Sequence, residues 1–353
     1  MVTDKSYYEW ILFYWMPYDN DLWRYGPPIV QMLARGAQGE NTLVVVVSDL
    51  SGEDYLTRRI ITKGEIAETH QLPTADSSSV QIYAEQLEWI RSRFDANRWA
   101  AIFLGHSGRL DEVSPDEQPL EGKRSWIQWM NIVQLADVLS GFNRSLDNRM
   151  ELLFLQNCCK GTIEVHYSFR NSAKFTLSSQ TVLGAPNYYY ERLLGSLVDN
   201  PYITGAELAA RVMKFERDDM YNGYTVTDNQ ALAILPSKIE PLVEAILRSG
   251  LTTVRISELD SYDYAGYRLV DAVAFFRLLA TQTGVDPRTL DGFVSFLTTS
   301  VICRYRESPK TRYRGLSGLS LLLPSSREQL ERYSYMEAFS ELKLIDLLDG
   351  LLR

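Results

Sequence analysis

The sequence predicts an α/β/α sandwich, with helices covering a central, mostly parallel sheet. Three observations carry the prediction. The run NTLVVVVSDL at 41–50 is almost continuously β-branched, as suits a strand buried on both faces. Val80, Tyr83, Ala84, Leu87, Ile90 and Phe94 recur at three- and four-residue spacing, which marks one face of a helix. Strand-like and helix-like runs then alternate along the chain.

Taken in order, residues 10–15 read as the first strand and 28–34 as a short helix. The polar stretch 51–79 reads as hairpins or loops. WAAIFLG at 99–105 is the next strand and ends at His106. ELLFLQN at 151–157 is another and ends at Cys158. AKFTLSS at 173–179 is a third. Thr204 and Glu207 form a capping box for a helix at 205–216. Further helices are expected at 238–247, stopping before Gly250, and at 269–280. LSGLSLLLP at 316–324 reads as a late strand closed by proline. The C-terminal run from Tyr333 onward reads as one or two amphipathic helices.

The chain of 353 residues can bury a full core, with 45% hydrophobic and 23% charged residues. Its net charge of −9 argues against a general nucleic-acid binder. No apolar run has the length to span a membrane. The N-terminal apolar piece is short and aromatic, so it reads as a strand rather than a signal peptide. Three cysteines make no secreted disulfide framework. Together these features lead to the expectation of a cytoplasmic protein.

The chemistry concentrates at NCCKG, 157–161. Ligands and nucleophiles in such sheets gather beyond the carboxyl ends of strands. His106 and Cys158 follow two different strands and can meet at one sheet edge. A Cys–His pair needs that geometry: the thiolate attacks a carbonyl, and the imidazole protonates the leaving amine. A helix starting near Gly161 would also favour the thiolate. Adjacent cysteines suit neither a mutual disulfide nor a zinc site. A buried cysteine used only for packing is the competing reading.

NCCKG followed by TIEVHYSF resembles the catalytic-cysteine segment of the clostripain family, a relative of caspases, legumains and gingipains. FYWMPYDNDL at 13–22, FDANRWAAIFLGHSG at 94–108, YITGAELAARV, TVTDNQALAILPSKI and GLSGLSLLLPSS resemble other family segments in the same order. The resemblance implies a caspase-like α/β/α sandwich in one domain, 1–353, with a core at 8–200 and a C-terminal extension at 201–353. It implies a cysteine endopeptidase with Cys158 as nucleophile and His106 as its partner. A caspase-like register would put the nucleophile at Cys159 instead. Gly105, Ser107 and Cys158 would supply backbone groups near the oxyanion. Ser107 departs from the family's usual His-Gly, leaving the turn to Gly108. Related enzymes cut after Arg or Lys using pocket acids. Gln156 stands where one acid is expected, and Ser179, Gln180 and Val182 occupy the second segment. A pocket for polar or small side chains, lined by Gln156, Ser179 and Gln180 and narrowed by Tyr188–Tyr190, follows. Lys123 and Arg124 would be the processing sites, against an ordinary surface loop.

No organic cofactor is implied; calcium is known in the family but has no assigned site here. Asp19 and Asp21 could bind a cation or hold a turn. The expected partners are a protein or peptide substrate and an activating protein or complex, without membrane or nucleic acid. The basic stretch CRYRESPKTRYRG at 303–315 qualifies that last point, reading as a solvated loop or as a docking surface for an acidic partner or nucleic acid. His166 reads as a packing or surface residue, His70 as an unpartnered loop residue, and Cys303 as core. A catalytically silent scaffold is the alternative function.

Overall fold

The computed structural model describes residues 5–117, 127–251 and 254–352. Its strands are β1 (Ser6–Tyr18), β2 (Thr42–Leu50), β3 (Thr57–Thr62), β4 (Glu65–Gln71), β5 (Phe94–Leu104), β6 (Glu112–Asp116) and β7 (Gln128–Asn131), followed by β8 (Met150–Gln156), β9 (Phe175–Ser178) and β10 (Gly223–Asp228). The last four are β11 (Ser261–Tyr264), β12 (Tyr267–Asp271), β13 (Ile302–Glu307) and β14 (Ser320–Leu322). The main sheet runs β13-β10-β9-β8-β5-β1-β2-β3-β4. Its centre, β2-β1-β5-β8-β9, is parallel, and antiparallel strands close both sides.

Side-chain alternation sorts the core into two layers. Ile11, Phe13 and Trp15 of β1 join one cluster with Leu43, Val45 and Val47 of β2. Trp10, Leu12, Tyr14 and Met16 join the other with Val44 and Val46. The first layer packs under helices Val80–Arg93 and Ile132–Ser145. The second packs under Gly26–Gly36, Tyr190–Asp199 and Gly205–Phe215. The β-branched run at 41–50 is therefore covered on both faces, and the caspase-like α/β/α sandwich stands.

Several local expectations change. The helix expected from 269 begins at Ala272, because Leu269–Asp271 finish β12 and the Asp271 side chain caps the helix by accepting from Ala274 N–H. Only Ser320–Leu322 of the late apolar run is a strand, and it joins β11 and β12 in a separate small sheet. β6, β7 and helix Ile132–Ser145 lie between His106 and Cys158, and Lys123 and Arg124 fall outside the described residues. Cys303 is exposed on edge strand β13 rather than in the core. His70 lies on β4, 2.8 Å from the Glu68 carboxylate, rather than alone in a loop. Beyond residue 200 the chain returns to the main sheet twice, through β10 and β13. Among the described residues no helix is long and apolar enough to cross a membrane.

Candidate active site

β5 and β8 are parallel neighbours, with Leu104 opposite Gln156. That register brings the segments after them, 105–108 and 157–161, side by side. Asn157 locks the pair by donating its amide N–H groups to the carbonyls of Gly105 (2.9 Å) and His106 (3.1 Å). Ser107 Oγ donates to the Cys158 carbonyl at 2.6 Å. Gly105 has φ +96°, a conformation open to glycine, and sits against the Tyr18 ring. Gly108 packs against Glu112, whose carboxylate accepts from Arg109 N–H at 2.7 Å, so the extra Ser107 is absorbed in this turn.

The two cysteines have different surroundings. Cys159 is 1% exposed, has φ +55°, and belongs to the first hydrophobic layer. Burial pushes its thiol up. Cys158 is only partly buried. Its Sγ accepts from Leu183 N–H at 3.3 Å and faces the Leu183 carbonyl at 3.7 Å. Burial pushes this thiol up as well, while the Leu183 amide, the Tyr264 hydroxyl and the Lys160 ammonium oppose the shift. His106 is directed to Asp21, Nε2 lying 2.7 Å from Oδ1. The turn after β1 is held by Asn20 rather than by Asp21: Asn20 accepts from Leu22 N–H and donates to Pro17 O.

Lys160 is fully buried. Its ammonium donates to the carbonyls of Arg109 and Leu110, tying the cysteine segment to the histidine segment a second time. Burial lowers it to about 8. Gly161 has no room for a side chain: a Cβ would lie 2.6 Å from Gln180 N. Its own N–H donates to Ser179 O at 2.7 Å. The following helix starts at Ile163, is only six residues long, and is capped by Thr162, which accepts from Val165 N–H. It offers no free N-terminus to the thiolate. His166 is buried, held between Thr227 Oγ1 at 2.7 Å and Ser178 Oγ, and burial lowers it to about 3, so it is neutral.

The expected pocket residues divide. Gln156 is buried and its amide is fully engaged. It donates to Asn187 and Tyr190 and accepts from Tyr189 OH at 2.7 Å. Gln180 is buried facing away, donating to Asp271 at 3.0 Å and accepting from Gly318 N–H at 3.0 Å. Ser179 is buried and its hydroxyl accepts from Thr181 N–H. Val182 and Tyr188 are exposed, and Arg217 stacks 4.4 Å over the Tyr188 ring.

A second constellation lies next to the histidine. The buried carboxylates of Asp19, Asp49 and Asp116 have oxygens within 4.8 Å of one another. Both Asp49 oxygens are buried without a hydrogen-bond partner; the neighbouring Ser77 hydroxyl donates to Pro115 O instead. Burial, with Asp19, Asp116 and Glu53 nearby, raises Asp49 to about 8. The unpartnered Asp49 oxygens, beside the carboxylates of Asp19 and Asp116, fit a hard divalent cation such as calcium, and these three could hold one. Asp19 also lines an acidic cavity of about 720 Å³ with Asp21, Glu53, Asp54 and Glu117. The sequence did hold a signal for two of the three carboxylates: Asp19 follows β1, and Asp49 lies at the carboxyl end of β2. Asp116 comes from the unforeseen β6 hairpin.

A thiol and an imidazole at the carboxyl ends of neighbouring parallel strands, in a caspase-like sandwich, define the class of cysteine peptidases. The clostripain family model matches residues 14–343, and the chain belongs to that family of cysteine endopeptidases. Among solved structures, a secreted C11 cysteine protease from Bacteroides thetaiotaomicron in complex with an irreversible peptide inhibitor is 17% identical with a TM-score of 0.71, covering 96% of this chain and 99% of its own. An inactive zymogen C11 protease from Parabacteroides distasonis gives 17%, 0.71, 96% and 99%. A further structure, of the secreted C11 cysteine protease iotapain from Bacteroides thetaiotaomicron, gives 14%, 0.71, 96% and 100%. Among curated proteins none matches this sequence. The expectation of a cytoplasmic location is corrected by these structures, since two of them are secreted enzymes.

Proposed function

We propose that this clostripain-like endopeptidase works through Cys158 and His106, with Asp21 orienting the imidazole. The observation that carries the reading is the β5–β8 register, which sets the segment of His106 beside that of Cys158. The partial exposure of Cys158 against the buried Cys159 supports the first cysteine as nucleophile. Cys158 Sγ attacks the scissile carbonyl carbon, and its electron pair forms the thioester as the C–N bond breaks. His106 takes the Cys158 thiol proton as the sulfur attacks and donates it to the departing amine. It then takes a proton from water as the hydroxide attacks the thioester carbonyl, and returns that proton to the leaving sulfur as the C–S bond breaks. Backbone N–H groups around Gly105, Ser107 and Cys158 are the proposed oxyanion donors. A cation at Asp19, Asp49 and Asp116 would supply positive charge that holds the Asp19–Asp21 turn beside His106.

We also propose that the residue before the cut is neutral rather than basic. Gln156 carries no charge and its amide is already spent on Asn187, Tyr189 and Tyr190. A buried Arg or Lys needs a paired charge. Processing at Lys123 or Arg124 would then require a protease of basic specificity acting in trans; the zymogen form of the Parabacteroides relative motivates this maturation reading.

Cleavage of a diverse peptide library by the wild type, Cys158→Ala and Cys159→Ala tests the assignment. Loss of cutting confined to Cys158→Ala is expected. Loss confined to Cys159→Ala would move the nucleophile by one residue. An inert wild type, even after treatment with trypsin, would favour a silent scaffold.

A further inference from the structure

Ser107 follows the catalytic histidine, yet its side chain is turned inward and the residue is only 5% exposed. Three contacts hold it there. Its main chain forms an antiparallel bridge with Val113. Its carbonyl accepts from the Tyr264 hydroxyl at 2.9 Å, at the end of β11. Its own hydroxyl donates to the Cys158 carbonyl at 2.6 Å. That carbonyl belongs to the peptide joining the two cysteines. The N–H of the same peptide, on Cys159, donates to Thr181 O at 3.0 Å. The peptide unit is thus clamped at both ends, by the histidine segment on one side and by the segment after β9 on the other. The clamp has a strained conformation to hold. Cys159 has φ +55°, a left-handed conformation that residues with a Cβ enter only at a cost.

We propose that Ser107 is a positioning residue for the nucleophile, whose hydroxyl fixes the Cys158–Cys159 peptide plane so that Cys158, and not Cys159, is offered to the substrate. Two adjacent thiols are chemically alike, and the backbone between them decides which way each points. In the clamped conformation Cys159 enters the hydrophobic layer, while Cys158 stays partly buried with its Sγ 3.3 Å from the Leu183 N–H. The other ties between the two segments do not hold this peptide. Asn157 donates to the carbonyls of Gly105 and His106, and Lys160 to those of Arg109 and Leu110, all on the histidine side. Removing the Ser107 hydroxyl takes away the side-chain donor of the Cys158 carbonyl and lets the strained peptide rotate. The sulfur then leaves its place opposite the histidine segment, and a small displacement of a reacting atom is expensive in rate.

The inference rests on Cys158 as nucleophile, so its test reads the two thiols directly as well as turnover. The variants are Ser107→Ala and Ser107→Thr, the second keeping the hydroxyl. The full chain is labelled briefly with iodoacetamide, and fragmentation of the tryptic peptide 150–160 separates alkylation at Cys158 from alkylation at Cys159. The wild type is expected to label at Cys158. In Ser107→Ala the ratio of Cys158 to Cys159 labelling is expected to fall about tenfold, and kcat about tenfold with KM little changed, as for loss of one hydrogen bond. Ser107→Thr is expected to restore both toward the wild type. An unchanged ratio in Ser107→Ala overturns the proposal. So does an equal rise in labelling at Cys158, Cys159 and Cys303, which would mark general loosening, or an equal loss in both variants. Preferred labelling of Cys159 in the wild type would instead overturn the nucleophile assignment, while the response of the ratio to Ser107→Ala still reports on the clamp.

Discussion

At Asp49 the burial of one carboxyl is expected to make stability depend on pH. Its carboxyl is raised from 3.8 to about 8, so the folded state holds a proton that the unfolded state gives up. The stabilisation is fully present below pH about 4 and is lost as pH rises through about 8. Thermal unfolding in EDTA is therefore expected to show a midpoint that declines over this window. Asp49→Asn should flatten the decline. Millimolar calcium should raise the midpoint of the wild type at pH 7.5 and leave Asp49→Asn unmoved, because the cation replaces the proton. A calcium response of equal size in both proteins would remove the Asp19–Asp49–Asp116 cluster as the site. Gln156 permits a second residue-scale experiment. Gln156→Asp puts an acid where related enzymes carry one, beside the Tyr189 and Tyr190 hydroxyls. Cleavage after Arg and Lys should rise relative to neutral residues in the same peptide library. An unchanged ratio would mean that the side chain before the cut is read elsewhere.

At the scale of elements, the segment from Asn157 to Gly161 is pinned from three directions. Asn157 and Lys160 bind it to the carbonyls that follow β5, Gly161 packs on the Ser179–Gln180 backbone, and Ser320 N–H donates to Gly161 O at 2.9 Å. A Cβ at Gly161 would meet backbone atoms, which cannot swing aside. Gly161→Ala should thus cost about 1–3 kcal/mol in urea unfolding, the usual range for overpacking. It should also lower turnover by shifting Cys158. A variant as stable and as active as wild type would show that the loop has slack. The capping box offers a milder case. Thr204 and Glu207 bond reciprocally, so Thr204→Ala should cost about 1 kcal/mol without touching kcat.

Across the whole molecule, the main sheet ends in two charged edges. β4 carries Glu65 and Glu68, and β13 carries Arg304 and Arg306. Charged side chains on an edge discourage pairing with another sheet. Arg304→Val is expected to raise self-association in light scattering at fixed concentration and salt, and a monomer unchanged up to high concentration would reject this role. The same strand bears on the basic stretch at 303–315. Arg306 pairs with Asp218 and Arg314 with Glu307, so part of its charge is already neutralised.

The sandwich, its buried β-branched strand and the positions of His106 and Cys158 at strand ends were legible in the sequence. Each depends on local periodicity: apolar alternation decides the layers, and the residue after an apolar run decides what stands at the sheet edge. The family could be read for the same reason, since its motifs are continuous segments. Elements whose boundaries rest on pairing with distant strands were less legible. The residues 269–271 pair with β11 and β14, and this pairing overrode their helical pattern. The site itself drew on partners from every part of the chain. Asp19, Asp49 and Asp116 converge from different strands and loops, Asp21 reaches His106, and Lys160 is committed to carbonyls some fifty positions earlier. Tyr264 reaches Ser107 across a separation of 157 residues. The sequence alone determined the layers and the strand-end chemistry, because both are written in local pattern. Only the tertiary structure decided which cysteine is accessible, what surrounds its sulfur and where the acids gather, because burial and electrostatics depend on neighbours that sequence distance conceals.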